Sequence, residues 1–95
     1  MGGVIRSFRG KETRAVFEGR FAGKFNSIAD VAEKKLIQLQ AASRLSDLSL
    51  FPGNRLEPLK GDREGQHSIR VNDRYRICFV WKDSDAYDVE IVDYH

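Results

Sequence analysis

A chain of 95 residues with 41% hydrophobic and 11% aromatic side chains is long enough for one modest core and too apolar to be disordered. Its net charge of +2 permits a nucleic-acid partner without demanding one. A single cysteine, Cys78, excludes an internal disulfide framework. The two histidines, His67 and His95, are too far apart in sequence to read as a metal-ligand pair, and no apolar run reaches membrane-spanning length. The expectation is one domain over 1–95, cytoplasmic, without metal, cofactor or membrane partner.

The charges are unevenly spread. Arg6, Arg9, Lys11, Arg14, Arg20 and Lys24 lie early, whereas Asp83, Asp85, Asp88, Glu90 and Asp93 lie late. The glycine-rich start, Met1-Gly2-Gly3, reads as flexible, and the N-terminus lacks the apolar stretch of a secretory signal. Residues 4–8 alternate apolar and basic and read as a short strand that pairs with the C-terminal part of the chain. Residues 11–18, with Ala15 and Phe17 apolar and Gly19 able to stop them, predict a first short helix.

Ser27 with Asp30 three residues on resembles a capping pair, so a second helix is expected to start there. Ile28, Val31, Ala32, Leu36 and Leu39 recur at helical spacing and define its core stripe. Residues 42–51 suggest one short helical turn carrying Leu45, Leu48 and Leu50, broken by Pro52-Gly53. Pro58 fixes its own φ, lacks an N–H and biases Glu57 towards an extended conformation, so any strand over 55–62 must be an edge or interrupted.

Residues 66–71, 74–82 and 86–92 read as a three-stranded antiparallel meander with turns at Asn72-Asp73 and Asp83-Ser84-Asp85. Strict alternation puts Ile69, Val71, Tyr75, Ile77, Phe79, Trp81, Tyr87, Val89 and Ile91 on the core face. Ser68, Arg70, Arg74, Arg76 and Cys78 then share the other. A basic sheet face suits a phosphate backbone, and equally suits nothing more than solvation with a few surface ion pairs. His67 reads as a half-buried ring and Cys78 as a small buried apolar group.

Together Ile5-Arg6-Ser7-Phe8, the run Leu56-Glu57-Pro58-Leu59-Lys60-Gly61-Asp62-Arg63, the pattern over 68–79 with Val71-Asn72 and Tyr75-Arg76, Asp85-Ala86-Tyr87 and the closing Asp93-Tyr94-His95 resemble the HigB family of toxins in the RelE-like superfamily. The resemblance runs in order over nearly the whole chain. It implies an α+β RelE-like toxin fold, with N-terminal helices packed on one face of a small, mainly antiparallel sheet. It further implies the toxin of a type II toxin–antitoxin system, a ribosome-dependent mRNA endonuclease acting in the ribosomal A site. Its partner would be a HigA-type helix-turn-helix antitoxin, with operator DNA met only through that antitoxin.

RNA cleavage of this kind needs a base for the 2′-OH proton, cations for the charged phosphorane and an acid for the departing 5′-oxygen. By the resemblance, Arg76 holds transition-state charge, since a guanidinium engages two phosphate oxygens at once, and Lys60 orients the scissile phosphate. Asp93, Tyr94 and His95 match the terminal catalytic motif: His95 as general acid, Asp93 as its orienting group or as base, Tyr94 stacked on a base or holding the ribose. Arg70 and Arg74 are divided between RNA contacts and simple solubility. Each of these charges also has a reading as an ordinary surface group, and a chain end as a frayed one.

Glu57 departs from the family, in which many members carry histidine before Pro-Leu-Lys. The string Glu-Pro-Leu-Lys resembles YoeB, where the glutamate is taken as general base, so Glu57 is either the base or a partner of Lys60 or Arg76. Two other functions compete: an antitoxin-binding co-repressor weakened as a nuclease, and a toxin of the same fold aimed at another target such as DNA gyrase.

Overall fold

The computed structural model of the chain describes residues 4–20 and 23–94. Among them, five strands form one sheet: β1 (Val4–Ile5), β2 (Glu57–Pro58), β3 (His67–Arg70), β4 (Tyr75–Lys82) and β5 (Asp85–Asp93), in the order β1-β5-β4-β3-β2. β1 runs parallel to β5, and the other neighbours are antiparallel. The expected meander is therefore the centre of the sheet. The N-terminal segment joins it on one side, and the proline-bearing segment forms the opposite edge, where the missing N–H of Pro58 breaks no interior ladder.

Helices α1 (Lys11–Phe17) and α2 (Ala29–Ala41) cover one face, and Ala15, Val16, Ala32, Leu36 and Leu39 pack with Ile69, Ile77, Phe79, Val89 and Ile91. Thr13, almost wholly buried, accepts the Ile91 N–H at 3.0 Å and so ties α1 to a strand position beyond the reach of β1. The α2 start differs from expectation. A 3-10 helix, Gly23–Ile28, runs directly into it, and no side chain caps α2, because the preceding turn already occupies the segment that a Ser27 cap would need. Val31 also leaves the expected stripe. It is 46% exposed, since Ile28, Ala32, Leu36 and Leu39 centre the buried face and Val31 falls on its flank.

Residues Leu45–Leu50 and Pro52–Asn54 are 3-10 helices, with Leu48 fully buried and Leu50 exposed. Asn54 locks them to α2: buried, it donates to the Leu48 carbonyl at 3.0 Å and to Gln38 at 3.1 Å, and accepts from Lys35 at 2.5 Å.

β5 also departs from strict alternation. Cys78 pairs with Glu90 but Val80 with Tyr87, so two steps along β4 match three along β5. Asp88, at φ 52, supplies the extra residue of this bulge. Alternation is reset there, so Ala86 joins Val89 and Ile91 inside while Tyr87, expected on the core face, lies opposite Val80 on the other. The turn between β4 and β5 holds Asp83 and Ser84 at φ 52 and 68, the two left-handed residues of a hairpin loop that matches strand twist.

Candidate active site

The face of the sheet turned away from the helices is not an open basic surface. Ser68 and Cys78 are wholly buried there, and the Arg76 side chain is only 11% exposed. The connection from β2 to β3 folds over this face, burying Leu59 and sending Arg63 across to Glu90 on β5 at 3.3 Å. Burial pushes the Cys78 thiol above its ordinary pKa, with Glu90 adding to the rise against the opposing charges of Arg63 and Arg76.

Arg76 is the hub. Its Nε donates to Ser68 Oγ at 2.7 Å, its Nη2 donates to the Arg55 carbonyl at 2.7 Å, and the same Nη2 lies 3.5 Å from Glu57 Oε1. Register explains the assembly: Ser68 stands opposite both Glu57 on β2 and Cys78 on β4, so the three strands bring Glu57, Ser68 and Arg76 to one place. Arg55, left-handed at φ 46, turns the chain into β2. On the other flank Tyr75 pairs with Asp93, and the Tyr94 N–H donates to the Arg74 carbonyl at 2.6 Å. That leaves the Tyr94 ring, 45% exposed, under the Arg76 guanidinium at 5.9 Å.

The result is a guanidinium with two of its nitrogens anchored and Nη1 bearing no hydrogen bond among the described residues. A fixed cation with free donors, a half-exposed carboxylate and an exposed aromatic ring lie together around Arg76. Such a set can hold an anionic oxygen, accept a proton and stack a flat ring.

The other expected site residues are placed differently. Lys60 is exposed just after β2, and its side chain has no hydrogen bond or ion pair among the described residues, so nothing draws it to Arg76. Arg70 stands opposite Arg76 in register, but its side chain pairs with Asp73. Arg74 and Asp93 hold each other, Nε to Oδ2 at 2.9 Å and Nη2 to Oδ2 at 2.8 Å, and this contact raises the Arg74 pKa. His95 lies outside the described residues.

Residues 6–95 match the HigB-like toxin family, RelE-like toxins of type II toxin–antitoxin systems. The chain belongs to that family. It is 48% identical over 61 residues to Toxin HigB-1 of Vibrio cholerae serotype O1, a stretch covering 64% of each chain. It is 36% identical to Endoribonuclease HigB of Proteus vulgaris over 95 residues, covering 97% of this chain and all of that one. Among solved structures, a heterotetrameric YoeB–YefM toxin–antitoxin complex from Staphylococcus aureus contains a chain that superposes with a TM-score of 0.56 at 17% identity, covering 96% of this chain and 97% of that one. A second YoeB–YefM complex gives 0.51 at 16%. These structures share the fold. A toxin of such a system has an antitoxin for its partner.

Two parts of this HigB-like site have no role assigned from sequence. Alternation puts Ser68 on the same face as Arg76, but its burial there and its bond to Arg76 come from the fold. The Arg55 carbonyl has no sequence signal, because a backbone acceptor is independent of residue type.

Proposed function

We propose that the whole chain forms one toxin domain that cuts mRNA on the ribosome, by attack of a ribose 2′-OH on the adjacent phosphorus. The observation that carries this reading is the convergence of Glu57, Arg76 and Tyr94, with Arg76 anchored through Nε and Nη2 and Nη1 left without a hydrogen bond among the described residues. Glu57 takes the 2′-OH proton, the new O2′–P bond forms, the P–O5′ bond breaks, and His95 gives the departing oxygen a proton. Products are a 2′,3′-cyclic phosphate and a 5′-hydroxyl. Arg76 bears the growing phosphorane charge, in a pocket where fixed donors need no reorganisation. Tyr94 stacks on a base of the codon, and Lys60, exposed just after β2, reaches the scissile phosphate. Asp93 aligns the chain end through Arg74, and Arg70 and Arg74 would have to give up Asp73 and Asp93 to meet flanking RNA phosphates.

The family's toxin–antitoxin setting and the name of the Proteus relative support this activity. The partner proposed is a HigA-type helix-turn-helix protein that carries the complex to operator DNA, and the site of action is the ribosomal A site. The test is to add the protein to programmed ribosomes and map 5′ ends. Codon-phased cuts with 5′-hydroxyl termini are expected, lost in Arg76→Ala and strongly reduced in Glu57→Gln and His95→Gln. Intact message from a folded, ribosome-bound wild type would overturn the reading.

A further inference from the structure

An opening apart from Arg76 lies on the same sheet face. It is a cavity of about 350 Å³ lined by Arg9, Asp62, Arg63, Gln66 and Glu90. Arg76 and Cys78 alternate along β4 onto this face, and Glu90 is the β5 partner of Cys78, so the cavity floor begins about 7 Å along the strand direction from the Arg76 row. A nucleotide next to the scissile linkage is within reach of both.

The walls are fixed while their inner edges are free. Arg63 spends Nη2 on Glu90 at 3.3 Å and Nη1 on Gln66 Oε1 at 3.1 Å, which holds its plane still. The Gln66 backbone is pinned as well, donating to the Arg63 carbonyl at 3.0 Å and accepting from Leu59 at 2.9 Å. Arg9 is anchored through its own N–H to the Val89 carbonyl at 2.9 Å, yet its guanidinium has no ion pair among the described residues, and the Asp62 carboxylate has none either. The cavity therefore presents an uncommitted guanidinium, an uncommitted carboxylate and a fixed planar cation together.

The carboxylates of Asp62 and Glu90 balance the guanidiniums of Arg9 and Arg63, so the cavity has no surplus of positive charge to favour a phosphate. A base with acceptors on one edge and donors on the next does suit it. Guanine offers O6 and N7 to an arginine, and N1–H with N2–H₂ to a carboxylate, while single-stranded bases also stack on arginine planes. Adenine turns the N1 lone pair towards the carboxylate and lacks the second donor. We propose that this cavity is a base-reading subsite that takes a guanine of the message beside the cleaved linkage, with Arg9 on O6/N7, Asp62 on N1–H/N2–H₂ and Arg63 beneath the ring. The assignment rests on the nuclease reading above for its substrate, but its binding chemistry can be tested apart from it.

The probe is a set of uncleavable 2′-O-methyl trinucleotides carrying guanine, inosine or adenine at each neighbour of the blocked linkage, titrated by fluorescence anisotropy into the wild type, Asp62→Asn and Arg9→Ala, each checked for folding by thermal melting. The wild type is expected to bind the guanine trinucleotide at least about tenfold more tightly than the other two. Asp62→Asn should erase the gap between guanine and inosine, which differ only in N2–H₂, and Arg9→Ala should weaken both. Equal binding of all three bases, a gap between guanine and inosine that survives Asp62→Asn, or no binding at all overturns the proposal. Asp62-dependent guanine binding by a protein that cuts no message would sink the nuclease reading and leave this subsite standing. Cuts with no base preference in either assay would do the reverse.

Discussion

Ser68→Ala tests whether Arg76 is aimed by a buried neighbour. The Ser68 hydroxyl has no solvent exposure, and its Oγ accepts from Arg76 Nε at 2.7 Å. A hydrogen bond to a charged group contributes roughly 1.5–3 kcal/mol, and removing one partner leaves the other unsatisfied where water enters poorly. With the Arg76 side chain only 11% exposed, little solvent replaces the lost acceptor. The expected loss is about 1.5–2 kcal/mol, towards the lower end because the Arg55 carbonyl and Glu57 still hold Nη2. That corresponds to a fall in Tm of roughly 6–16 °C for a chain of this size, which a fold of ordinary stability survives. A guanidinium freed at Nε no longer presents Nη1 in one direction, so cleavage on programmed ribosomes should fall about tenfold or more at saturating protein, with ribosome binding unchanged. Denaturant titration and single-turnover cleavage, run on the same preparation, read the two effects. Stability and rate both at wild-type levels would refute the reasoning, as would a normal rate in a protein that had lost the expected stability.

Three other outcomes follow from the same geometry. Ser84→Gly relieves a left-handed non-glycine residue in the β4–β5 turn, so it should raise stability by about 0.5–1 kcal/mol by denaturant titration, and no gain would contradict the turn. Leu36→Ala, at a wholly buried position, should cost about 2–5 kcal/mol whereas Val31→Ala should stay within about 0.5, so similar losses would mean that α2 is rotated from the orientation described. The Cys78 thiol has a native pKa above its ordinary value of 9.0, so its contribution is fully present below that value and is lost as pH climbs through the native pKa. The wild type should therefore lose denaturation midpoint above about pH 9 relative to Cys78→Ala, and parallel curves from pH 8 to 11 would argue against a buried thiol.

What could be read from the chain divides along physical lines. The meander, the edge position of Pro58 and the buried row Ala32, Leu36 and Leu39 follow from local chemistry, because periodicity, turn residues and a missing N–H act on adjacent residues. The bulge at Asp88 does not. Nothing in Tyr87-Asp88-Val89 announces a positive φ, and one unforeseen residue moved Tyr87 off the core face and brought Ala86 in. The site shows the same division. Glu57, Arg76 and Tyr94 were singled out by resemblance, but their meeting depends on two registers, Glu57 opposite Ser68 and Tyr75 opposite Asp93, which no single strand contains. Those registers also pair Arg74 with Asp93 across 19 residues of sequence, so one arginine of the basic face stabilises the chain end while its neighbour Arg76 is left with an open nitrogen. The charge of an arginine is legible in a sequence; whether that charge is already answered is a property of the register. In this sheet, that difference separates an arginine available to a phosphate from one committed to a carboxylate.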